Sequence, residues 1–134
     1  MSIREISAAA ITDAVEALCI EANTKLPSDV KAALDQAEAA EPWPLARETL
    51  GLLQQNLVVA ADKELPICQD TGMACVFIEL GQDAHISGDL TEAVNEGVRR
   101  GYEKAFLRKS ITADPLQRVN TCLLYTSDAA DDLI

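Results

Sequence analysis

Seven consecutive residues concentrate the reactive groups of this chain: Pro66, Ile67, Cys68, Gln69, Asp70, Thr71 and Gly72. A thiol, an amide, a carboxylate and a hydroxyl stand side by side. Pro66 fixes its own φ and biases Leu65 toward extended backbone, so a helix arriving from the N-terminal side ends before it. Gly72 accepts backbone angles that other residues resist. The turn is therefore a stiff mount, and one soft ligand beside an acceptor and a donor can form a corner of a metal site. Taken alone the turn has two readings. A cysteine in a turn is commonly a small buried hydrophobe and Asp-Thr-Gly is ordinary turn chemistry; the other reading is a metal-binding or catalytic role.

Arg108 is the next candidate, and it also has two readings. At a helix end its charge favours the negative pole of the dipole, or its planar fork grips a carboxylate through two hydrogen bonds. His85, the only histidine, is expected in a polar loop with Ser87 and Gly88, as an exposed or loop-anchoring side chain. Cys19 and Cys75 are expected in the core. Cys68 and Cys75 are seven apart, which is not zinc-finger spacing, so a self-contained zinc site is not expected.

The elements that position these groups follow from periodicity and capping. Ser2 with Glu5 forms a possible capping box for a first helix, with Ile11, Val15, Leu18 and Ala22 on one face, ending near Asn23. A second helix is expected from Pro27-Ser28-Asp29, with Val30, Leu34 and Ala37 repeating along it. Glu41-Pro42-Trp43-Pro44 breaks it, with Trp43 covering a core edge. A third helix is expected over 45–62. Three amphipathic helices in a row suggest a layer laid over something. Residues 73–80, almost wholly apolar without alternation, read as a strand buried on both faces. Asp89, with Glu92 at the box position, opens a fourth helix that turns Leu90, Val94 and Val98 inward. Ala93, Gly97 and Gly101 recur every fourth position; each glycine costs about 1 kcal/mol against alanine, so close approach of another backbone is expected. Arg99 and Arg100 fall on a solvated face. Asp114-Pro115-Leu116 is a turn before an extended piece ending at Asn120-Thr121. The pattern is a helix-rich α/β chain, a helical N-terminal layer packed on a small, mainly parallel sheet.

The 134 residues allow one domain with a core, and a hydrophobic content of 49% argues against disorder. With aromatics at 4%, that core has to be built from Ala, Leu, Ile and Val. Eleven basic against 22 acidic residues leave a charge of -11, a surface that repels phosphate backbones, so no nucleic-acid partner is expected. A small dianion is still admissible, because one local arginine overrides the global field inside a cleft. No signal peptide is visible at the N-terminus, and no apolar run approaches the roughly 20 residues of a membrane span. Cytoplasmic localisation, no membrane partner and reduced cysteines are expected.

In order along the chain, the 66–72 turn, Met73-Ala74-Cys75-Val76-Phe77, Gly81-Gln82-Asp83, Asn95-Glu96-Gly97-Val98-Arg99-Arg100-Gly101-Tyr102, Leu107-Arg108-Lys109-Ser110, Asp114-Pro115-Leu116 and Arg118-Val119-Asn120-Thr121 resemble the iron–sulfur (class I) fumarate hydratase and L(+)-tartrate dehydratase family. The resemblance is to its alpha subunit or N-terminal domain and covers nearly all of the chain before Cys122. It implies a [4Fe–4S] cluster held by three cysteines, with Cys68 as one ligand, and a bound dicarboxylate touched by Gln69, Asp70 and Arg108. It implies a hydro-lyase, acting on fumarate/malate first or tartrate next, in which the iron left open is a Lewis acid toward the hydroxyl. The short leader before Cys68 resembles the two-subunit form, implying a beta subunit as partner. The general base and the other ligands are not assignable in this stretch, so residues 1–121 are expected to be inactive alone.

After Thr121 the family would continue with a Gly-Asp-Asn-Thr-Pro type segment. Here residues 122–134 instead resemble translated sequencing-adapter read-through and are expected to be a non-native tail, with no role for Cys122. The competing reading for the whole chain is a non-catalytic helical interaction module with structural cysteines.

Overall fold

The structure, a computed structural model, describes residues 3–112, 114, 116, 117 and 119–121. Strand β1 (Arg4–Ser7) leads into helices α1 (Ala8–Thr24), α2 (Ser28–Ala40) and α3 (Pro44–Lys63). Strand β2 (Ala84–Ser87), helix α4 (Leu90–Lys104) and the short strands β3 (Ile111–Thr112) and β4 (Asn120–Thr121) follow. β1 and β2 pair in parallel, Arg4 opposite Ala84 through Ser7 opposite Ser87, and β3 pairs antiparallel with β4. The helix-rich α/β character expected from the periodicity is what the chain adopts.

The core is the seam between α1 and α4. Each helix starts on a side-chain cap: Ser7 Oγ accepts from the Ala10 N–H at 3.2 Å, and Asp89 Oδ1 from the Glu92 N–H at 2.8 Å. The small-residue stripe on α4 does what its spacing predicts. A Cβ added at Gly97 would sit 2.7 Å from both the Thr12 carbonyl oxygen and Val15 Cβ, and one at Gly101 would sit 2.8 Å from Cys19 Cβ. Val15, Cys19, Val94, Val98 and Tyr102 fill the seam, with Val98 fully buried. The buried Thr12 hydroxyl donates to the Ala93 carbonyl at 3.0 Å, tying the two helices together.

α2 and α3 form a separate hairpin. Pro27 stands at the N-terminal end of α2 as expected, and Pro44, expected only as part of the break, is the first residue of α3. No residue of α2 is buried, and Gln54 Nε2 on α3 reaches Glu38 Oε2 on α2 at 2.6 Å.

Several local expectations give way to tertiary structure. Glu5 lies on β1, and the first helix begins at Ala8 under the Ser7 cap, because pairing with β2 holds residues 4–7 extended. On α1, Thr12 and Cys19 line the seam while Leu18 is exposed, since the glycine groove of α4 accepts small side chains. Trp43 is exposed at the α3 cap position and covers no core edge. His85 lies on β2 rather than in a loop, although its side chain is exposed.

The largest departure is at residues 73–80, which form no strand. The segment pairs with no described backbone, and a strand is defined by that ladder. Ala74 and Val76 pack on the core, whereas Met73, Cys75 and Phe77 face outward, Phe77 being 94% exposed. Cys75 is therefore not the core residue that its apolar surroundings suggest. The Asp114 turn does form: Asp114 Oδ1 accepts from the Leu116 N–H at 2.7 Å and the Gln117 N–H at 3.3 Å. Ser2 of the capping box, Pro115 of this turn, Arg118 and the tail 122–134 with Cys122 lie outside the described residues.

Candidate functional site

The 66–72 turn is held at both ends. At its front, the Ile67 N–H donates to the Asn23 carbonyl at the end of α1 (2.9 Å), and Asn56 Nδ2 on α3 donates to the Ile67 carbonyl (2.8 Å). At its back, Thr71 Oγ1 accepts from the Arg108 N–H at 2.8 Å, and the Gly72 carbonyl accepts from the Tyr102 hydroxyl at 3.4 Å. Gly72 has φ +64, and a methyl added there would meet nothing within 4 Å, so its glycine is required by the angle and not by space.

Between these anchors Cys68, Gln69 and Asp70 are exposed. The buried-hydrophobe reading of Cys68 is thereby corrected: the turn pushes the thiol outward. The Asp70 N–H points at Cys68 Sγ at 3.5 Å, a donor aimed at the sulfur.

Arg108 arrives from α4 through a tight helix end. The Phe106 N–H donates to the Glu103 carbonyl (3.5 Å) and the Leu107 N–H to the Tyr102 carbonyl (2.9 Å), the paired bonds of a Schellman motif. Phe106 takes the left-handed position, φ 55, where glycine is usual. Leu107 is buried and Arg108 emerges beyond it, its Nη1 3.7 Å from Asp70 Oδ1. Both side chains are largely exposed, so the pair adds little stability. Its looseness leaves guanidinium N–H groups available to another carboxylate.

Of the other cations near this end, Lys109 lies 3.7 Å from Glu103 and three are engaged more closely. Arg99 and Arg100 each meet Glu96 at 2.7 Å, and Lys104 meets Glu16 at 2.9 Å. Hydrogen bonds from Arg99 and then Arg100 pull the Glu96 carboxyl down to about 2. The hydrogen bond to Glu16 raises Lys104 above its ordinary value.

The structure thus brings Asp70 and Arg108 together on the turn that carries Cys68, with Gln69 exposed beside them. Thr71 and Tyr102, which clasp the back of the turn, escape a reading of the sequence. Both stand within the motifs that carry the family resemblance, but no periodicity links position 71 to position 108. A groove of about 460 Å³ runs between α1 and residues 71–76, and Cys68, Gln69, Asp70 and Arg108 do not line it.

An iron–sulfur cluster requires three or four thiolates. Among the described residues no group of three or more His, Cys, Asp or Glu side chains could hold a metal ion. Cys19 is buried in the α1–α4 seam. Cys68 and Cys75 are exposed thiols, but no set of three ligands comes together among the described residues, and a whole cluster does not fit them.

A family model described as fumarate hydratase (Fumerase) matches residues 12–123. The putative L(+)-tartrate dehydratase subunit alpha of Methanocaldococcus jannaschii is 36% identical over 112 residues, covering 82% of this chain and 39% of the relative. The L(+)-tartrate dehydratase subunit alpha of Escherichia coli K12 is 28% identical over 111 residues, 83% of this chain and 36% of the relative. The chain spans about two fifths of the length of these curated relatives. No helix among the described residues is long and apolar enough to cross a membrane. Because the family match takes in the turn, the glycine seam and Arg108 together, this chain belongs to the fumarate hydratase (Fumerase) family, in line with its alpha subunits.

Proposed function

We propose that residues 1–121 are the N-terminal part of a hydro-lyase alpha subunit that adds water to, or removes it from, a small dicarboxylate. The observation that carries this reading is the meeting of Asp70 and Arg108 at 3.7 Å on the turn that presents Cys68. Arg108 grips one substrate carboxylate through two N–H groups, Gln69 donates to another substrate oxygen, and Asp70 accepts from the substrate hydroxyl. Cys68 contributes one of three ligands to a [4Fe–4S] cluster, the others lying outside the described residues. A beta subunit completes the enzyme, in the cytoplasm. The family description names fumarate and the relatives' names L(+)-tartrate, so both are proposed substrates, differing by one hydroxyl. Residues 122–134 stand outside the proposed domain as a non-native tail.

The test is anaerobic production with iron and sulfide, from a gene resequenced across the Thr121 codon and co-expressed with a beta partner. The expected product is brown and turns over fumarate or L(+)-tartrate. In it, Arg108→Ala lowers kcat/KM about 100-fold, the loss of a charge-assisted pair of hydrogen bonds. Colourless protein, or an Arg108→Ala enzyme with unchanged kcat/KM, overturns the reading. The second reading, a helical interaction module, draws on the exposed Leu45, Leu52 and Val59, spaced seven apart along α3. Such a module stays colourless and tolerates Cys68→Ser with only a small loss of stability.

A further inference from the structure

We infer that Thr71 is a positioning residue whose hydroxyl sets Arg108 opposite Asp70. The inference rests on the proposed role of Arg108 as the grip on a substrate carboxylate. Beyond the end of α4 and the buried Leu107, the chain runs through residues that belong to no helix or strand until β3. The Arg108 N–H is the first backbone group on that stretch, and it donates to Thr71 Oγ1 at 2.8 Å. The next residue of the turn, Gly72, is bonded through its carbonyl to the hydroxyl of Tyr102, a buried side chain on α4. The two bonds close a small circuit: α4 holds Tyr102, Tyr102 holds Gly72, Thr71 holds Arg108, and Arg108 continues from α4. Within such a circuit the backbone of Arg108 cannot rotate without moving the turn that carries Asp70. The Arg108–Asp70 ion pair cannot do this work itself, being long, exposed and the contact that an incoming carboxylate has to replace. Thr71 therefore aims the guanidinium without touching substrate.

Valine keeps the shape of threonine and lacks the acceptor; serine keeps the acceptor and lacks the methyl. The experiment compares both variants in the full chain by backbone amide exchange and by titration with fumarate and with L(+)-tartrate, followed at the Arg108 Nε–Hε resonance. In Thr71→Val the Arg108 amide is expected to exchange about tenfold faster while the Val98 amide keeps its rate. Dicarboxylate binding is expected to weaken about fivefold, and Thr71→Ser to restore both within about twofold. Tyr102→Phe, which keeps the ring in the core, opens the other half of the circuit and is expected to speed Arg108 exchange as well. An unchanged Arg108 amide in Thr71→Val, or a serine variant as impaired as the valine, overturns the inference. Equal dicarboxylate binding by the parent chain and Arg108→Ala sinks the proposed grip and the aiming role with it. That outcome is separable from unchanged exchange, which sinks the Thr71 inference alone.

Discussion

The α1–α4 seam and the turn at 66–72 are built on opposite principles. The seam is closed by shape: two glycines leave room for one backbone to lie against another, and apolar side chains fill what remains. The turn is open and hung from a few hydrogen bonds, its three chemical residues turned to solvent. The glycines serve differently too. Gly97 and Gly101 are glycine because a methyl has nowhere to go, and Gly72 because of its angle. A scaffold saturated with contacts cannot also present unpaired donors and acceptors, so the groups able to meet a ligand sit where packing ends. The seam nonetheless reaches the turn, because Tyr102 is a core residue at one end and a hydrogen-bond donor at the other.

The sharpest way to break this contrast is to put a methyl into each kind of glycine. Gly97→Ala is expected to destabilise the chain by about 2 kcal/mol, overpacking set against a gain in helix propensity of about 1 kcal/mol. Urea denaturation measures it, and a variant as stable as the parent would mean that the helices do not approach as closely as described. Gly72→Ala, where there is room but the angle is wrong, is expected to cost only about 1 kcal/mol.

Phe106 carries the same angular strain with the opposite sign of prediction. It is 83% exposed and left-handed at φ 55, so Phe106→Gly forfeits little burial and is expected to stabilise by about 1 kcal/mol. A lower melting temperature in that variant would show that the phenyl ring has a role in packing after all.

The smallest effect concerns the ion pairs along α4. Glu96 has its folded pKa lowered from 4.5 to about 2 by Arg99 and Arg100. A lowered acid contributes stability that is present above its unfolded value and lost as pH falls through the folded one. Glu96→Gln is therefore expected to be slightly less stable than the parent at neutral pH, and the difference to vanish between pH 4.5 and about 2. A side-chain carboxyl titration of Glu96 with its midpoint at 4 or above would remove the basis for this.

Much of the scaffold is legible in the order of residues. The proline starts of α2 and α3, the Asp89 cap and the Ala93-Gly97-Gly101 stripe are all local or periodic signals, and the structure follows them. The inward face of α1 is not legible from apolarity, because the groove it meets selects for size: Leu18 is exposed and Thr12 buried, the reverse of a hydrophobicity ranking. The run at 73–80 misleads in another way. An apolar stretch announces that a strand is possible, but the ladder needs a second backbone, and none among the described residues pairs with it.

Residue types and spacing by themselves determined where α2, α3 and α4 begin, which face of α4 is thin, and that a thiol, an amide and a carboxylate share one stiff turn. Those properties depend on neighbours within a turn or two of backbone. Tertiary structure alone decided that residues 4–7 pair as a strand, that Cys75 faces outward, and that Arg108 comes to rest beside Asp70 with Thr71 holding its amide. The strand pairing and the Arg108 contacts each join groups tens of residues apart, and such a meeting is set by how whole helices pack, which no local propensity encodes.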